Sequence, residues 1–300
     1  RYAVAFDGLI ATSCPIDIDM HVKPHARDLM LAIKTVEEID APVAMHVTPT
    51  GKLSIKAGKF KVFVPCLPDK ELMEFPQPEG EFVETGKGLM EAIRLAAPFM
   101  STDASRPWAL GMLITKKSVM ATNNVVVIEK WHGSNFPREI IIPAPAIQEI
   151  LSIRETPTGM MVSENSATFF YEGDRWLRTQ LVEGSWPTER VQERLAQPAN
   201  CVPVPEGLFD AISKIKKFAN TERPYVWISP DKISTAPEGE NGAEFEIETC
   251  EGTQIFTIDY LLLLDGVATK IDLTQHPNPC SFYGDKLRGV IIGIVPNVST

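Results

Sequence analysis

The sequence predicts an α+β fold built from tandem copies of one helix-and-hairpin domain, and three observations carry this. A proline-flanked amphipathic helix, two short strands and a terminal aromatic-Pro step run from His21 to Pro78 (HVKPHARDLMLAIKTVEEI, AMHVTPTGKLSIKAGKFKVFVPCLP, EFP). The same pattern returns from Glu139 to Leu195 (EIIIPAPAIQEILSI, GMMVSENSATFFYEGDRWLRTQLV, SWP), and a third copy opens near Gln254 with IFTIDYLLLLDGVA and ends in LRGVIIGIVP. A different half-unit precedes the second and third copies, at Glu81–Trp131 and Val202–Gly252. The period is roughly 115 to 120 residues, too long for a solenoid and suited to tandem domains of one fold. Such repetition within one chain predicts an assembly with rotational pseudo-symmetry.

The helices follow from apolar stripes at helical spacing. Ala26, Leu29, Met30, Ile33 and Val36 make the stripe of Ala26–Glu38; Leu89, Met90, Ile93 and Ala97 that of Lys87–Ala97; Leu208, Ala211, Ile212 and Ile215 that of Pro205–Phe218. Strand, turn residues, strand is the signature of a hairpin. It occurs at Lys52–Ile55 and Phe60–Val64 around Ala57-Gly58, and at Met161–Phe170 and Trp176–Val182 around Glu172-Gly173-Asp174. It occurs again at Ala243–Thr249 and Gln254–Ile258 around Cys250-Glu251-Gly252. Two hairpins and two helices per domain predict sheets outside and helix pairs inside. Proline-rich linkers at Pro76–Gly80 and Ala196–Pro205 divide the chain into expected domains 1–80, 81–198 and 199–300. Arg1 opens on YAVAFDGLIATS, which reads as mid-strand without an initiator Met, so the first domain is expected to be incomplete at its N-terminus.

Composition narrows the function. The 300 residues are 44% hydrophobic and 23% charged, ordinary for a globular chain, and no apolar run is long enough for a membrane span. Five dispersed cysteines (Cys14, Cys66, Cys201, Cys250, Cys280) without CxxC spacing point to reduced thiols and a cytoplasmic location. A net charge of −10 argues against a surface that coats nucleic acid everywhere. Basic residues nevertheless recur on the helices: Arg27 and Lys34, Lys87 and Arg94, and the cluster Lys214, Lys216 and Lys217. Solvated helix faces and favourable placement near helix ends account for such residues without function. No GxGxxG, GxxxxGK[ST], GxSxG or HExxH motif is present. His21 and His25 are separated by Pro24, which opposes the helix that would set them on one face, and the acidic stretch Glu238–Glu246 matches no calcium loop. The residues call for no catalytic site, metal or cofactor.

Several stretches, in order, resemble bacterial β sliding clamps, the processivity subunit of DNA polymerase III. IFTIDYLLLLDGV is similar to the segment opening the last half-domain of these clamps. RPWALGMLI followed by VMATNNVVVIEKW is similar to the strand pair leading into their Ala-Thr-Asp-Gly segment, REIIIPAPAIQEI to the helix of the same domain, LVEGSWPTERV to the loop after it, and IVPNV to the terminal Met-Pro-Met-Arg. The matches span nearly the whole chain and keep the three-domain order.

The resemblance implies a non-enzymatic DNA clamp fold of three domains, with sheets outside and helices lining the hole of a head-to-tail homodimeric ring around duplex DNA. On that reading Arg27, Lys34, Lys87, Arg94, Lys214, Lys216 and Lys217 face DNA through sequence-independent phosphate contacts. The edge strand holding Val62 and Val64 would meet the helix end near Phe218 of a second subunit. A groove between the second and third domains would take short linear peptides from the polymerase, the clamp loader and repair proteins. Its wall would comprise Ala109, Thr122, Asn124, Val125, Val126, Val127, Pro187, Val191, Ile294, Val295 and Pro296. Asn124 stands where Gly is usual, Val125 and Val126 replace a His-Arg pair and Val191 replaces an Arg, so the expected groove is more aliphatic and less basic than usual. That divergence points to a phage-encoded or otherwise specialised clamp. The alternative from another class is a clamp-fold regulator that binds clamp partners without encircling DNA.

Overall fold

Alternation and turn chemistry build the first part of the chain. The computed structural model describes residues 1–68, 75–134, 136–237 and 241–295. Strands β1 (Tyr2–Phe6) and β2 (Ile10–Pro15) form an antiparallel hairpin. Its turn is held by Asp7, whose Oδ1 accepts from the amides of Leu9 (2.8 Å) and Ile10 (2.7 Å). Helix α1 (Ala26–Glu37) follows, then an antiparallel sheet in the order β3 (Val43–Val47), β4 (Leu53–Ala57) and β5 (Phe60–Val64). Ala32 and Val36 of α1 pack on Leu53, Ile55, Ala57 and Val64, with Leu29 and Val62 at the margin. The stripe is therefore narrower than the sequence suggests, and Met30, expected inside, is 54% exposed beside the still more exposed Leu31. A three-stranded sheet covers little more than one column of a helix, here 29, 32 and 36.

The chain separates into two compact units, Arg1–Gln77 with Gly173–Arg175, and Pro78–Glu172 with Trp176–Thr300. The second begins with β6 (Glu81–Glu84), α2 (Lys87–Ala96), β7 (Gly111–Ile114), β8 (Ser118–Thr122), β9 (Val126–Trp131), β10 (Ile140–Pro143) and α3 (Ala144–Ser152). It continues through β11 (Gly159–Val162), β12 (Ser166–Tyr171), β13 (Arg175–Gln180, of which Arg175 belongs to the first unit), α4 (Thr188–Leu195), β14 (Val202–Pro203) and α5 (Leu208–Ile215). It closes with β15 (Tyr225–Ile228), β16 (Lys232–Ser234), β17 (Glu244–Glu246), β18 (Gln254–Thr257), α6 (Ile258–Leu262), β19 (Lys270–Ile271), β20 (Cys280–Gly284) and β21 (Leu287–Ile291). A helix followed by antiparallel strands thus recurs at α1, α2, α3, α5 and α6. The stripes of α2 and α5 are buried as their spacing requires, through Leu89, Met90 and Ile93 in one and Leu208, Ala211, Ile212 and Ile215 in the other.

Two sequence expectations change. Met161–Phe170 is two strands, β11 and β12, because the Ser163 hydroxyl accepts from the amides of Asn165 (3.3 Å) and Ser166 (3.1 Å) and turns the chain. The segments around Cys250-Glu251-Gly252 are not a hairpin: the sheet order is β17-β16-β15-β18, so they occupy opposite edges. The connecting residues cross the end of the sheet, where the amides of Ile247 and Thr249 donate to Asp231 O and Pro230 O.

The feature that positions the candidate site is an eight-stranded sheet, β10-β7-β8-β9-β21-β20-β19-β14. At its centre β9 pairs antiparallel with β21, with Glu129 opposite Arg288 and Val127 opposite Val290. Gly289 allows this seam: a side-chain carbon there would collide with the Phe282 ring and lie 2.5 Å from Val127 O. On the opposite face, Lys130 is buried and reaches Glu91 of α2 (3.3 Å) and Asp285 O (2.8 Å).

His132, at the end of β9, is buried in its neutral form. Its Nδ1 accepts from the Ser134 amide (3.1 Å), which leaves Nε2–H to donate to Thr115 O (3.2 Å). Burial lowers its pKa below the ordinary 6.5, against a smaller upward pull from Thr115 O. A depressed histidine contributes stability that is fully present above 6.5 and is lost as pH falls below that value, because the unfolded chain then binds the proton more readily. Thermal melts between pH 7.5 and 5 should show a fall in Tm that flattens in His132→Gln; parallel curves would contradict the assignment.

Candidate functional site

The face of the β9–β21 seam that carries Val127 and Val290 is roofed by α4. Period-two alternation sets Val125, Val127 and Glu129 on this face of one strand and Arg288, Val290 and Ile292 on the same face of its neighbour. Above them α4 buries Val191 and Leu195 in a cluster with Leu113, Met120, Ile141, Trp186 and Val290. Trp108 and Trp186 meet edge to face beneath it, with ring centroids 5.1 Å apart. What remains open is a groove of about 440 Å³. Val125, Val127, Val191, Val290 and Ile292 give it an aliphatic lining, Pro279 and Asn124 flank it, and Arg190, Glu193 and Arg194 of α4 form its rim. Among the described residues neither rim arginine has an ion-pair partner.

Asn124 shapes one end. Its φ of 72° lies in the left-handed region, which Asn adopts more readily than most residues with a side chain. Neighbouring Asn123 caps the turn by accepting from the amides of Val125 (3.1 Å) and Val126 (2.8 Å). The Asn124 side chain accepts from Arg106 Nη1 (2.7 Å).

The expected wall residues fall into separate groups. Asn124, Val125, Val127 and Val191 line the groove. Pro187 caps the start of α4 and is partly exposed. Ile294 is half-buried, its amide donating to Ile255 O (2.7 Å) and its carbonyl 3.0 Å from His276 Nε2, while Val295 is exposed. Ala109, Thr122 and Val126 are buried and cannot serve as wall. Ala109 lies in a 3-10 turn, the Thr122 hydroxyl donates to Val126 O, and Val126 points to the opposite face of its strand. Pro296 lies outside the described residues. The sequence reading missed Arg190, Glu193, Arg194, Pro279, Val290 and Ile292. Alternation in LRGVII and the position of Val191 on α4 were the signals that could have found most of them. The rim arginines also make the groove more basic than expected.

On the strand expected at the interface, Val64 is fully buried and cannot meet a partner, and Val62 packs partly buried on the same core; β5 turns Lys61 and Phe63 outward, with Lys61 Nζ 4.7 Å from the Phe63 ring centre. Phe218 is 57% exposed in the 3-10 turn after α5, with Lys217 Nζ 5.2 Å from its ring centre.

The basic helix residues are all exposed. Lys214 is paired with Asp210 and Lys216 with Asp259, each at 2.6 Å. Arg27, Lys34, Lys87, Arg94 and Lys217 have no ion-pair partner among the described residues.

All five cysteines are free. Desolvation pushes Cys201 up to about 11 and Cys280 to about 12, and raises Cys250. Since the thiolate is the nucleophile, these three should resist iodoacetamide at pH 8 while exposed Cys14 reacts, as peptide mass mapping would read; rapid alkylation of Cys280 would contradict the packing.

Among the described residues no group of three or more His, Cys, Asp or Glu is placed to hold a metal ion, and no helix is long and apolar enough to cross a membrane. A larger cavity of about 750 Å³ near Trp186 is polar, and its Arg178 is already tied to Glu79 at 2.7 Å.

No family model matches the sequence, and no curated protein matches it to significance. Solved structures do match. A Pseudomonas aeruginosa DnaN sliding clamp bound to griselimycin superposes with a TM-score of 0.80 at 19% identity, over 98% of this chain and 88% of that one. The Bacillus subtilis sliding clamp gives 0.80 at 17%, over 98% and 88%. A Bartonella birtlesii DnaN clamp bound to griselimycin gives 0.81 at 16%, again over 98% and 88%. At these identities the likeness speaks for architecture, and the chain has the fold of the bacterial DNA polymerase III β sliding clamps.

Proposed function

We propose that this protein is a DNA sliding clamp, a non-enzymatic processivity factor that encircles duplex DNA as a head-to-tail homodimer and holds polymerase, loader and repair proteins through short peptides. The observation that carries the reading is the clamp fold over 98% of the chain, joined to an aliphatic groove with a charged rim. Apolar side chains entering such a groove supply most of a peptide's affinity. The three domains would be residues 1–80, 81–198 and 199–300. Arg27, Lys34, Lys87, Arg94 and Lys217, having no carboxylate partner among the described residues, are the residues best suited to phosphate; Lys214 and Lys216 must first give up Asp210 and Asp259.

Self-association would join the β5 edge to the β17 edge of a second copy. Lys56, Lys59, Lys61 and Phe63 lie exposed on or beside one, while Glu244, Phe245 and Glu246 lie exposed on the other, with Phe218 nearby through Thr235. The two edges are complementary in charge and each carries exposed aromatic surface.

The rival reading, a clamp-fold regulator that leaves DNA free, draws on Met30 and Leu31, exposed between Arg27 and Lys34 on α1 where a phosphate-tracking helix would be polar. One experiment separates the two readings. Loaded by a clamp loader, the protein should remain on nicked circular DNA, run off linearised DNA and have the native mass of a dimer. Equal release from both DNAs would favour the regulator.

A further inference from the structure

A second set of interactions lies beneath α4, outside the groove lining. Glu129 of β9 is buried, and its carboxylate is fully engaged. Oε1 accepts from the Ser118 hydroxyl (2.8 Å) and the Gln192 amide (3.3 Å); Oε2 accepts from Arg288 Nε (2.8 Å) and Nη2 (2.7 Å). Gln192 of α4 completes the triangle by accepting from Arg288 Nη2 at 2.5 Å. The guanidinium also lies over the Trp131 ring, 5.4 Å from its centre.

The placement matters more than the count. Glu129 and Arg288 are directly opposed across the β9–β21 seam, in line with the Val127–Val290 pair of the groove floor. Gln192 follows the wall residue Val191 and touches both charged groups. One network therefore ties together the three elements that form the groove: the two floor strands and the wall. Its directionality distinguishes it from the apolar contacts of Val191 and Leu195, which tolerate a slide of the helix. If α4 shifted by a turn, the Glu129–Arg288 pair would stay joined but each partner would lose its hydrogen bond to Gln192, which costs the helix two charge-assisted bonds at its seated register.

We propose that Glu129, Gln192 and Arg288 are positioning residues that lock α4 at a fixed register and height over the β9–β21 seam, and so set the width of the groove for the peptide it takes. The inference rests on the groove being a peptide site, and the experiment keeps the two apart. Gln192→Leu removes the helix tie while leaving the Glu129–Arg288 pair intact, so the fold should survive; Arg288→Met, which orphans Glu129, is the harsher companion. Hydrogen exchange should show loss of protection at the α4 amides of Val191 and Ala196, with the β9 and β21 amides unchanged in Gln192→Leu. Griselimycin, measured well below Tm, should bind about tenfold more weakly to Gln192→Leu and weaker still to Arg288→Met. Unchanged α4 exchange overturns the proposal whatever the ligand does. A loosened α4 with unaltered griselimycin affinity overturns it too, since the network would then be structural only. Failure of the unmodified protein to bind griselimycin counts against the groove reading, and the exchange arm still decides whether the network holds α4.

Discussion

On the proposed head-to-tail assembly, Phe63→Glu combined with Phe218→Glu should give folded monomers. Both rings are about half exposed, Phe63 at 49% and Phe218 at 57%, so neither contributes much to the core of its own unit. A buried aromatic hot spot at an interface is worth about 2 kcal/mol or more, and such losses do not simply add, so losing both rings should weaken each contact by at least about 2 kcal/mol, roughly thirtyfold. Glutamate adds the cost of desolvating a charge, and beside β17 it would face Glu244 and Glu246 of the other copy. Light scattering at micromolar concentration should give a monomer with an unaltered far-UV spectrum and near-normal Tm. A dimer of undiminished mass would place the contact elsewhere. Val64→Glu makes the contrast sharp: it buries a charge in the core of the first unit and should cost the fold.

Strand β5 shows why an apolar pattern does not by itself fix its phase. FKVFV is apolar at four of five positions, so alternation alone cannot tell whether the 60, 62, 64 side or the 61, 63 side is buried; only the core formed with Ala32 and Val36 decides. Helices α2 and α5 were legible because their apolar residues bunch on one face and their charged residues on the other. α1 was half legible: its apolar residues outnumber the surface that its small sheet can cover, and Met30 and Leu31 are left outside. Turn signals at Cys250-Glu251-Gly252 marked a break correctly but carried no information on which strands pair, since β15 and β16 lie between the two flanking segments.

The groove was legible as a neighbourhood. Asn124, Val125, Val127 and Val191 could be placed from order along the chain. The matching residues of β21 could not, because the pairing of Val127 with Val290 joins positions far apart in sequence and depends on the register of the whole sheet. The buried network was beyond reach for the same reason: Glu129, Gln192 and Arg288 belong to three separate segments, and each alone reads as an ordinary charged or polar surface residue.

On the proposed clamp function, Val125→Glu combined with Ile292→Glu should abolish peptide binding while leaving assembly and DNA retention intact. These residues are neighbours on the groove floor, with the Ile292 amide donating to Val125 O at 2.9 Å. Ile292 is 43% exposed and Val125 partly so, which lets both substitutions keep their carboxylates in water in the free protein. A bound apolar side chain would have to desolvate them. Loss of the anchor contacts amounts to roughly 2 to 4 kcal/mol, or about 30- to 1,000-fold in Kd. The backbone bond between the strands does not depend on the side chains, and the underlying cluster of Val191, Leu195, Trp186 and Val290 is untouched, so Tm should move by only a few degrees. Calorimetric titration with griselimycin, the ligand bound by two of the structurally similar clamps, reads the first effect under the proposed groove function, and retention on nicked circular DNA reads the second. Retained affinity with normal folding would remove the β9–β21 groove as the peptide site; loss of both binding and DNA retention would mean that the seam supports the ring as well as the groove.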